Sequence, residues 1–398
     1  MKQYSRKVLF FILGISLINY IDRYTLPAVF PLIKSDLNLS DTELGFLSSA
    51  FMIIYTLVSP FMGFIGDKIK RTYVIGFSAI FWSVATIFTG FSRNFMQLAA
   101  SRSLVGVGEA GYGTVSPAYL AEWFRPEIRA RVLSLYALAI PVGSAIGYLL
   151  GGYLGHIFGW NSAFFIVGFP GIILGCFALF LKETPQREEK ENLNIGEYKE
   201  LFKNKVYLFV AFSQSIATFS VGGLSAWMPS YYVRNWDMNV AQAGFKFGLI
   251  TVLAGIMGNL TGGFLADYLR KYTKRAYFIV GYMSFFLSVP FIILSLLTDS
   301  LNMSLFYVFL SEYFIFMHSG PYHATIVEVI PVKMRSMAFA LDIFILHAFG
   351  DAISPVLIGF VSDKLGLLIA IFFSGLYLIF GGITSILAGH FYKKELEK

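Results

Sequence analysis

The sequence predicts an all-α membrane protein with twelve transmembrane helices in two six-helix pseudo-symmetric halves. Three observations carry this reading. Hydrophobic residues make up 56% of the 398 positions and charged residues only 14%, which excludes a soluble domain and a disordered chain. The apolar residues gather into twelve runs of the length that crosses a bilayer, about 20 residues each. Finally, Gly63-Phe-Ile-Gly-Asp67-Lys-Ile-Lys-Arg71 recurs 200 residues later as Gly263-Phe-Leu-Ala-Asp267-Tyr-Leu-Arg-Lys271, each copy ending one apolar run and preceding another. A hinge repeated at half the chain length points to an internal duplication.

The first half, residues 1–182, holds runs at about 8–32, 43–66, 72–92, 95–121, 130–157 and 161–181. The first run carries Pro27 and Pro31, and it is too long for a signal-peptide core, so it is expected to remain as a helix. Before the second run, Ser40 followed by Glu43 fits a capping box. The fifth run reads Gly143-Ser-Ala-Ile-Gly147-Tyr-Leu-Leu-Gly151-Gly152 after Pro141, a flat face expected to pack on a helix of the other half. A central polar segment, residues 183–205, is expected to be cytoplasmic. Ile195, Tyr198, Leu201 and Phe202 fall there at helical spacing, which predicts a short helix on the membrane surface. The second half, residues 206–398, holds runs at about 206–233, 244–266, 275–297, 302–330, 336–361 and 366–391, with Pro229, Pro321 and Pro355 inside the seventh, tenth and eleventh.

Orientation follows from the 31 basic residues. With the N-terminus inside, 24 fall in cytoplasmic segments, five in external loops (Lys34, Arg93, Arg234, Lys246, Lys364) and two, Arg23 and Arg102, within spans. Both termini are therefore expected to be cytoplasmic, in a bacterial inner membrane. The net charge of +7 reflects topology and is no nucleic-acid footprint. The single Cys176 lies in the sixth run and permits no intrachain disulfide. No metal site is expected: His318 and His323, five apart, do not share a face, and no His-Glu-x-x-His order occurs. No cofactor is expected either, and the chain is read as a monomer.

Charges at membrane depth are functional candidates by default. The first run contains Asn19-Tyr-Ile-Asp22-Arg23-Tyr24, and the fourth contains Arg102-Ser-Leu-Val-Gly106-Val-Gly-Glu109. Arg102 and Glu109, seven apart, share one face about 10.5 Å from each other. Gly106, Gly108, Gly111 and Gly113 are expected to thin this helix and let the first helix approach. Two acids and two arginines can sum to zero charge, so the group can exchange one proton at modest cost and suits proton coupling at Asp22 and Glu109. A purely structural ion-pair network is the alternative. Arg23 could anchor an anionic substrate group or tune Asp22. The tenth run carries Glu312, His318, His323 and Glu328. The eleventh carries Asp342, His347 and Asp351, the last two four apart and at hydrogen-bonding distance on a helix.

The paired Gly-x-x-x-Asp-x-x-x-basic hinges resemble a loop motif of the Major Facilitator Superfamily, whose two six-helix halves form a rocking transporter. Asn19–Tyr24, Gly106–Ala110, Ile140–Tyr148, His347–Pro355 and Gly359–Asp363 further resemble the spinster-like branch, whose members carry lysophospholipids and sphingosine phosphate. Tyr148 stands where the family's fifth-helix motif, associated with exporters and antiporters, usually has Pro. Asp342 is a charge this branch does not lead one to expect. The first-helix string is shared with the anion:cation symporter branch. The resemblance implies proton coupling at Asp22 and Glu109. The resemblance also places Arg23 at a substrate-binding position, and around it a substrate pocket is expected from Tyr20, Tyr24, Arg102 and Trp227, with His347 and Asp351 on the eleventh helix. Gating is expected of Gly63 and Gly263 and of Asp67 and Asp267, paired with Arg71 or Arg129 and with Arg270 or Arg335.

The expected function is secondary active transport by alternating access, coupled to protons and moving an amphipathic anion built like a lysophospholipid or sphingolipid. The alternatives are a proton-coupled symporter of small organic anions such as sugar acids, and a membrane sensor that transports nothing. An enzyme is not expected, because no nucleophile–base pair or metal set stands at a membrane face.

Overall fold

A computed structural model describes residues 2–183, 198–331 and 334–396, and every regular element among them is helical. The helices are α1 (Lys2–Ala28), α2 (Phe30–Leu37), α3 (Asp41–Lys68), α4 (Arg71–Phe91), α5 (Phe95–Glu122), α6 (Pro126–Ala137), α7 (Ala139–Phe158), α8 (Trp160–Ala178) and α9 (Tyr198–Leu201). There follow α10 (Lys205–Asn235), α11 (Val240–Arg270), α12 (Ala276–Leu297), α13 (Leu301–Phe316), α14 (Ser319–Val329), α15 (Arg335–Phe349), α16 (Ser354–Leu365) and α17 (Leu367–Leu396). They make up twelve spans, because the first, fifth, tenth and eleventh are each built from two consecutive helices.

The breaks have local causes. Pro31 and Pro355 open α2 and α16 at the first turn, where a missing N–H is an orphan anyway. Pro229, by contrast, lies inside the unbroken α10. Ten helical stretches among the described residues are long and apolar enough to cross a membrane by themselves. The two remaining spans, the fourth and the tenth, carry Arg102 and Glu109 in α5 and Glu312 and His318 around the α13–α14 break, which lower their hydropathy. Large apolar side chains stand exposed along the helices, among them Phe180, Phe264 and Phe61, a surface that suits lipid and not water.

The chain divides into two compact units. One comprises residues 1–189 and 228–248, the other residues 190–227 and 249–398. Duplication is visible in their packing. In the first unit α4 packs on α8 and α5; in the second, α12 packs on α17 and α13. Gly159 and Gly366 join the last two spans of each half with the same backbone, φ 83 and 89 with ψ 153 in both, a conformation open essentially to Gly alone. The capping box before the second span is present: Glu43 N–H donates to Ser40 Oγ and Ser40 N–H to Glu43 Oε2. Of the expected surface helix only α9 lies within the described residues, with Leu201 buried and Phe202 exposed; Ile195 lies outside them.

The glycines of α7 serve a different partner from the one expected. A Cβ on Gly143, Gly147 or Gly151 would stand 3.1, 2.6 or 2.9 Å from the carbonyl oxygens of Leu17, Ile21 and Thr25, so this face lies directly on α1 of the same half. Only Gly152 meets the start of α11, at the Val240 carbonyl. The tighter approach in the second hinge falls one residue earlier: a Cβ on Gly262 would meet the Met317 carbonyl at 2.0 Å, whereas one on Gly263 would meet nothing within 4 Å, although the Gly263 Cα itself lies 4.0 Å from where a Cβ on Gly320 of α14 would stand. Gly147→Val is therefore expected to cost about 3 kcal/mol by overpacking a backbone contact. Gly263→Ala is expected to be neutral or up to about 1 kcal/mol stabilising by helix propensity. Thermal unfolding of the two variants in detergent measures both.

Candidate functional site

Four charges meet inside the first unit, on α1 and α5. Asp22 and Arg23 are neighbours in sequence, so their side chains leave α1 about 100° apart and take different partners. Arg102 Nη1 donates to Asp22 Oδ1 at 3.2 Å, and the Thr86 hydroxyl of α4 donates to Oδ2. Arg23 donates from Nη2 and Nε to Glu109 Oε2, at 2.7 and 3.2 Å. The result is two crossed ion pairs. Asp22, Arg102 and Glu109 are buried, while the Arg23 side chain keeps 16% of its surface open. Glu109 Oε1 and Arg102 Nε have no hydrogen-bond partner, so one carboxylate oxygen and one N–H stay unused in a low-dielectric site.

Aromatic rings surround the cations. The Arg23 guanidinium lies 4.9 to 5.2 Å from the ring centres of Tyr20, Phe51 and Tyr55, and that of Arg102 lies 5.5 Å from Phe51. Cation–π attraction of this kind is strongest where water is excluded. The α5 glycines shape the site, though not by admitting α1. A Cβ on Gly106 would meet the Phe51 carbonyl of α3 at 2.5 Å, and one on Gly108 the Trp82 backbone of α4 at 2.7 Å. They seat α5 between α3 and α4, which carry Phe51, Tyr55 and Thr86. No motif marks these three residues. Thr86 is one of several Ser and Thr along α4, with Ser78, Ser83 and Thr89, so its polarity alone does not single it out.

Other expected residues are placed elsewhere. Tyr24 packs at a tilt against Tyr148, whose ring also meets Phe247 edge to face. Trp227, in the second unit, is fully buried and donates its indole N–H to the Pro355 carbonyl. It packs α10 on α16 and has no open surface for a ligand, contrary to the pocket role expected of it. His347 Nδ1 and Asp351 Oδ1 lie 2.9 Å apart on the turn that ends α15, both partly exposed.

The basic residues of the two hinges pair with glutamates at helix ends. Arg71 forms an ion pair with Glu122 of α5, buried on both sides. Arg270 forms two bonds of 2.6 Å with Glu328 of α14. Arg129 and Arg335 donate to the carbonyls of Ala121 and Ile330. Arg270 is thus engaged by Glu328 where Asp267 was expected, and Asp267 itself is exposed. The Asp67 side chain lies outside the described residues. Glu122, the partner in the first half, has no sequence motif of its own; it follows α5 by helix register alone. At the opposite end of the first unit, Asp41 takes two bonds from Arg234, at 2.6 and 2.8 Å, and pairs with Lys34.

Comparison with known proteins agrees with this architecture. The Major Facilitator Superfamily family model matches residues 12–355. Protein spinster homolog 1 of Xenopus laevis is 32% identical over 389 residues, covering 91% of this chain and 74% of that protein. The sphingosine-1-phosphate transporter SPNS2 of Xenopus tropicalis is 31% identical over 368 residues, covering 87% and 72%. The crystal structure of a bacterial homolog to the human lysosomal transporter Spinster, inward-facing and unoccupied, superposes with a TM-score of 0.89 over 99% of this chain and 98% of that one, at 20% identity.

Proposed function

The chain belongs to the Major Facilitator Superfamily, in its spinster-like branch, and from that premise we propose that this integral membrane transporter moves an amphipathic anion together with protons. The observation that carries the proposal is the sharing of Arg23. It is the one cation of the buried cluster with open surface, and it is held by a single carboxylate oxygen of Glu109. An anionic head group and ionised Glu109 compete for the same guanidinium. Protonation of Glu109 frees Arg23 for the substrate, so proton and anion binding reinforce each other. Asp22, already held by Arg102 and Thr86, keeps the second arginine neutralised, leaves Arg23 as the available charge and is the second coupling acid.

The substrate class is a lysophospholipid or sphingolipid-like anion. Its support is the relative named as a sphingosine-1-phosphate transporter and the aromatic walls of Tyr20, Phe51 and Tyr55 around the cation. The distribution of Lys and Arg supports cytoplasmic termini in an inner membrane. The Arg71–Glu122 and Arg270–Glu328 pairs, with Arg129 and Arg335, are the gating contacts of this reading.

Flux and binding in proteoliposomes test it. Removing one acyl methylene is expected to cost about 0.8 kcal/mol, or about fourfold in affinity. Arg23→Ala is expected to weaken head-group binding about 10- to 100-fold, the loss of charge-assisted hydrogen bonds. Saturable uptake of a sugar acid, with affinity indifferent to chain length, would replace the lipid reading by the organic-anion one.

A further inference from the structure

We propose that Glu312, in the second unit, is a proton-binding site separate from the Asp22–Glu109 cluster, and that it holds its proton at neutral pH. The proposal goes beyond the transport reading and does not depend on it.

Glu312 lies twelve residues into α13, about 17 Å along the helix from its start, which puts it at membrane depth. Its side chain has no exposed surface, and neither carboxyl oxygen has a hydrogen-bond partner. The Thr251 hydroxyl of α11 is its polar neighbour and is itself unbonded. Every other buried acid described above has a donor: Asp22 has Arg102 and Thr86, Glu109 has Arg23, and Asp342 takes Gln214 Nε2 at 3.0 Å on each oxygen.

Among the described residues no Lys, Arg or His forms a hydrogen bond with either oxygen of Glu312. The titratable groups nearby in the fold face other partners. His318, at the α13–α14 break, packs on Phe285 and Tyr322 and bonds to the Ile315 carbonyl. Tyr322 bonds to Ser213, and on α12 Ser288 bonds to Ser311. An ionised carboxylate here would be a bare charge in an apolar seam. A protonated one is neutral and carries a hydrogen that can be given to Thr251 Oγ1.

The seam gives the proton something to control. A Cβ on Gly258 of α11 would stand 2.3 Å from the Tyr313 carbonyl, and one on Gly262 2.0 Å from that of Met317. The two helices therefore lie backbone to backbone within two to three turns of the Thr251–Glu312 pair, where the tenth span breaks. Loss of the proton would place a charge in this contact, so the packing of α11 on α13 and the protonation of Glu312 are linked.

Infrared difference spectroscopy of the purified protein against Glu312→Gln tests the site at neutral pH. The expected result is loss of one protonated-carboxyl C=O band in the variant. Loss of a carboxylate band instead would overturn the proposal. Should Glu312→Gln fail to fold, the unaltered chain in liposomes can be treated with dicyclohexylcarbodiimide, which attacks only protonated carboxyls, and mapped by peptide mass spectrometry. An adduct at Glu312 is expected at neutral pH, falling about tenfold for each pH unit above its ionisation. An adduct that forms only after acidification would overturn the proposal. So would protection by sodium over choline at equal ionic strength, which would make this a sodium site.

Discussion

Glu109→Gln is expected to abolish proton-driven accumulation while leaving substrate binding intact. One pH unit across the membrane is worth about 1.4 kcal/mol per proton, enough for about tenfold accumulation at one proton per substrate. In the variant that ratio is expected to fall to about one, with downhill exchange retained. The sign for binding follows from the ion pair. Glutamine cannot ionise, so it never competes for Arg23 as Glu109 does at 2.7 Å. Head-group affinity should be at least as high as in the unaltered protein and no longer fall as pH rises. Uptake against a pH gradient, with binding measured on the same preparation, checks both. Persistent uphill uptake by the variant would remove Glu109 from coupling.

Arg102→Met is expected to give the largest stability change, a loss of about 3–5 kcal/mol. The Arg102–Asp22 pair is almost wholly buried on both sides. Methionine fills much of the volume but leaves Asp22 a buried charge with the Thr86 hydroxyl as its remaining donor. Adding Asp22→Asn removes that charge and is expected to restore most of the lost stability, because replacing both members of a buried pair costs far less than breaking it. Arg23→Ala, at the partly open pair, should destabilise less. Thermal unfolding of the three variants in detergent separates these cases. Equal losses in the single and double variants would show that the pair contributes packing alone.

Some of this site was legible before any coordinate. Charges at 22, 23, 102 and 109 in runs otherwise free of charge mark themselves, because a bilayer tolerates them only where they serve or pair. Their pairing was not legible. That Arg23 takes Glu109 and Arg102 takes Asp22 depends on the rotation of α1 against α5, which no single helix encodes. The aspartate of the second hinge misled for a similar reason. Asp267 lies three residues before Arg270, yet Arg270 reaches across to Glu328, 58 residues away. The glycines of α7 announced a close contact but not with which helix, since a Gly stripe fits any flat neighbour.

By itself the sequence determined the class of the protein, the number and order of its spans, the duplication and which charges lie within the spans. These rest on quantities summed along the chain: apolar run length against bilayer thickness, the recurrence of a hinge and the depth of each ionisable residue. Tertiary structure decided the partners. It set which acid faces which arginine, placed Phe51, Tyr55 and Thr86 around them, sealed Trp227 against Pro355, and left Glu312 without a hydrogen-bonded cation. The physical reason is one of range. Insertion into lipid is settled residue by residue along one helix, whereas pairing energies act over a few ångströms between helices distant in sequence, and only the packed bundle sets those distances.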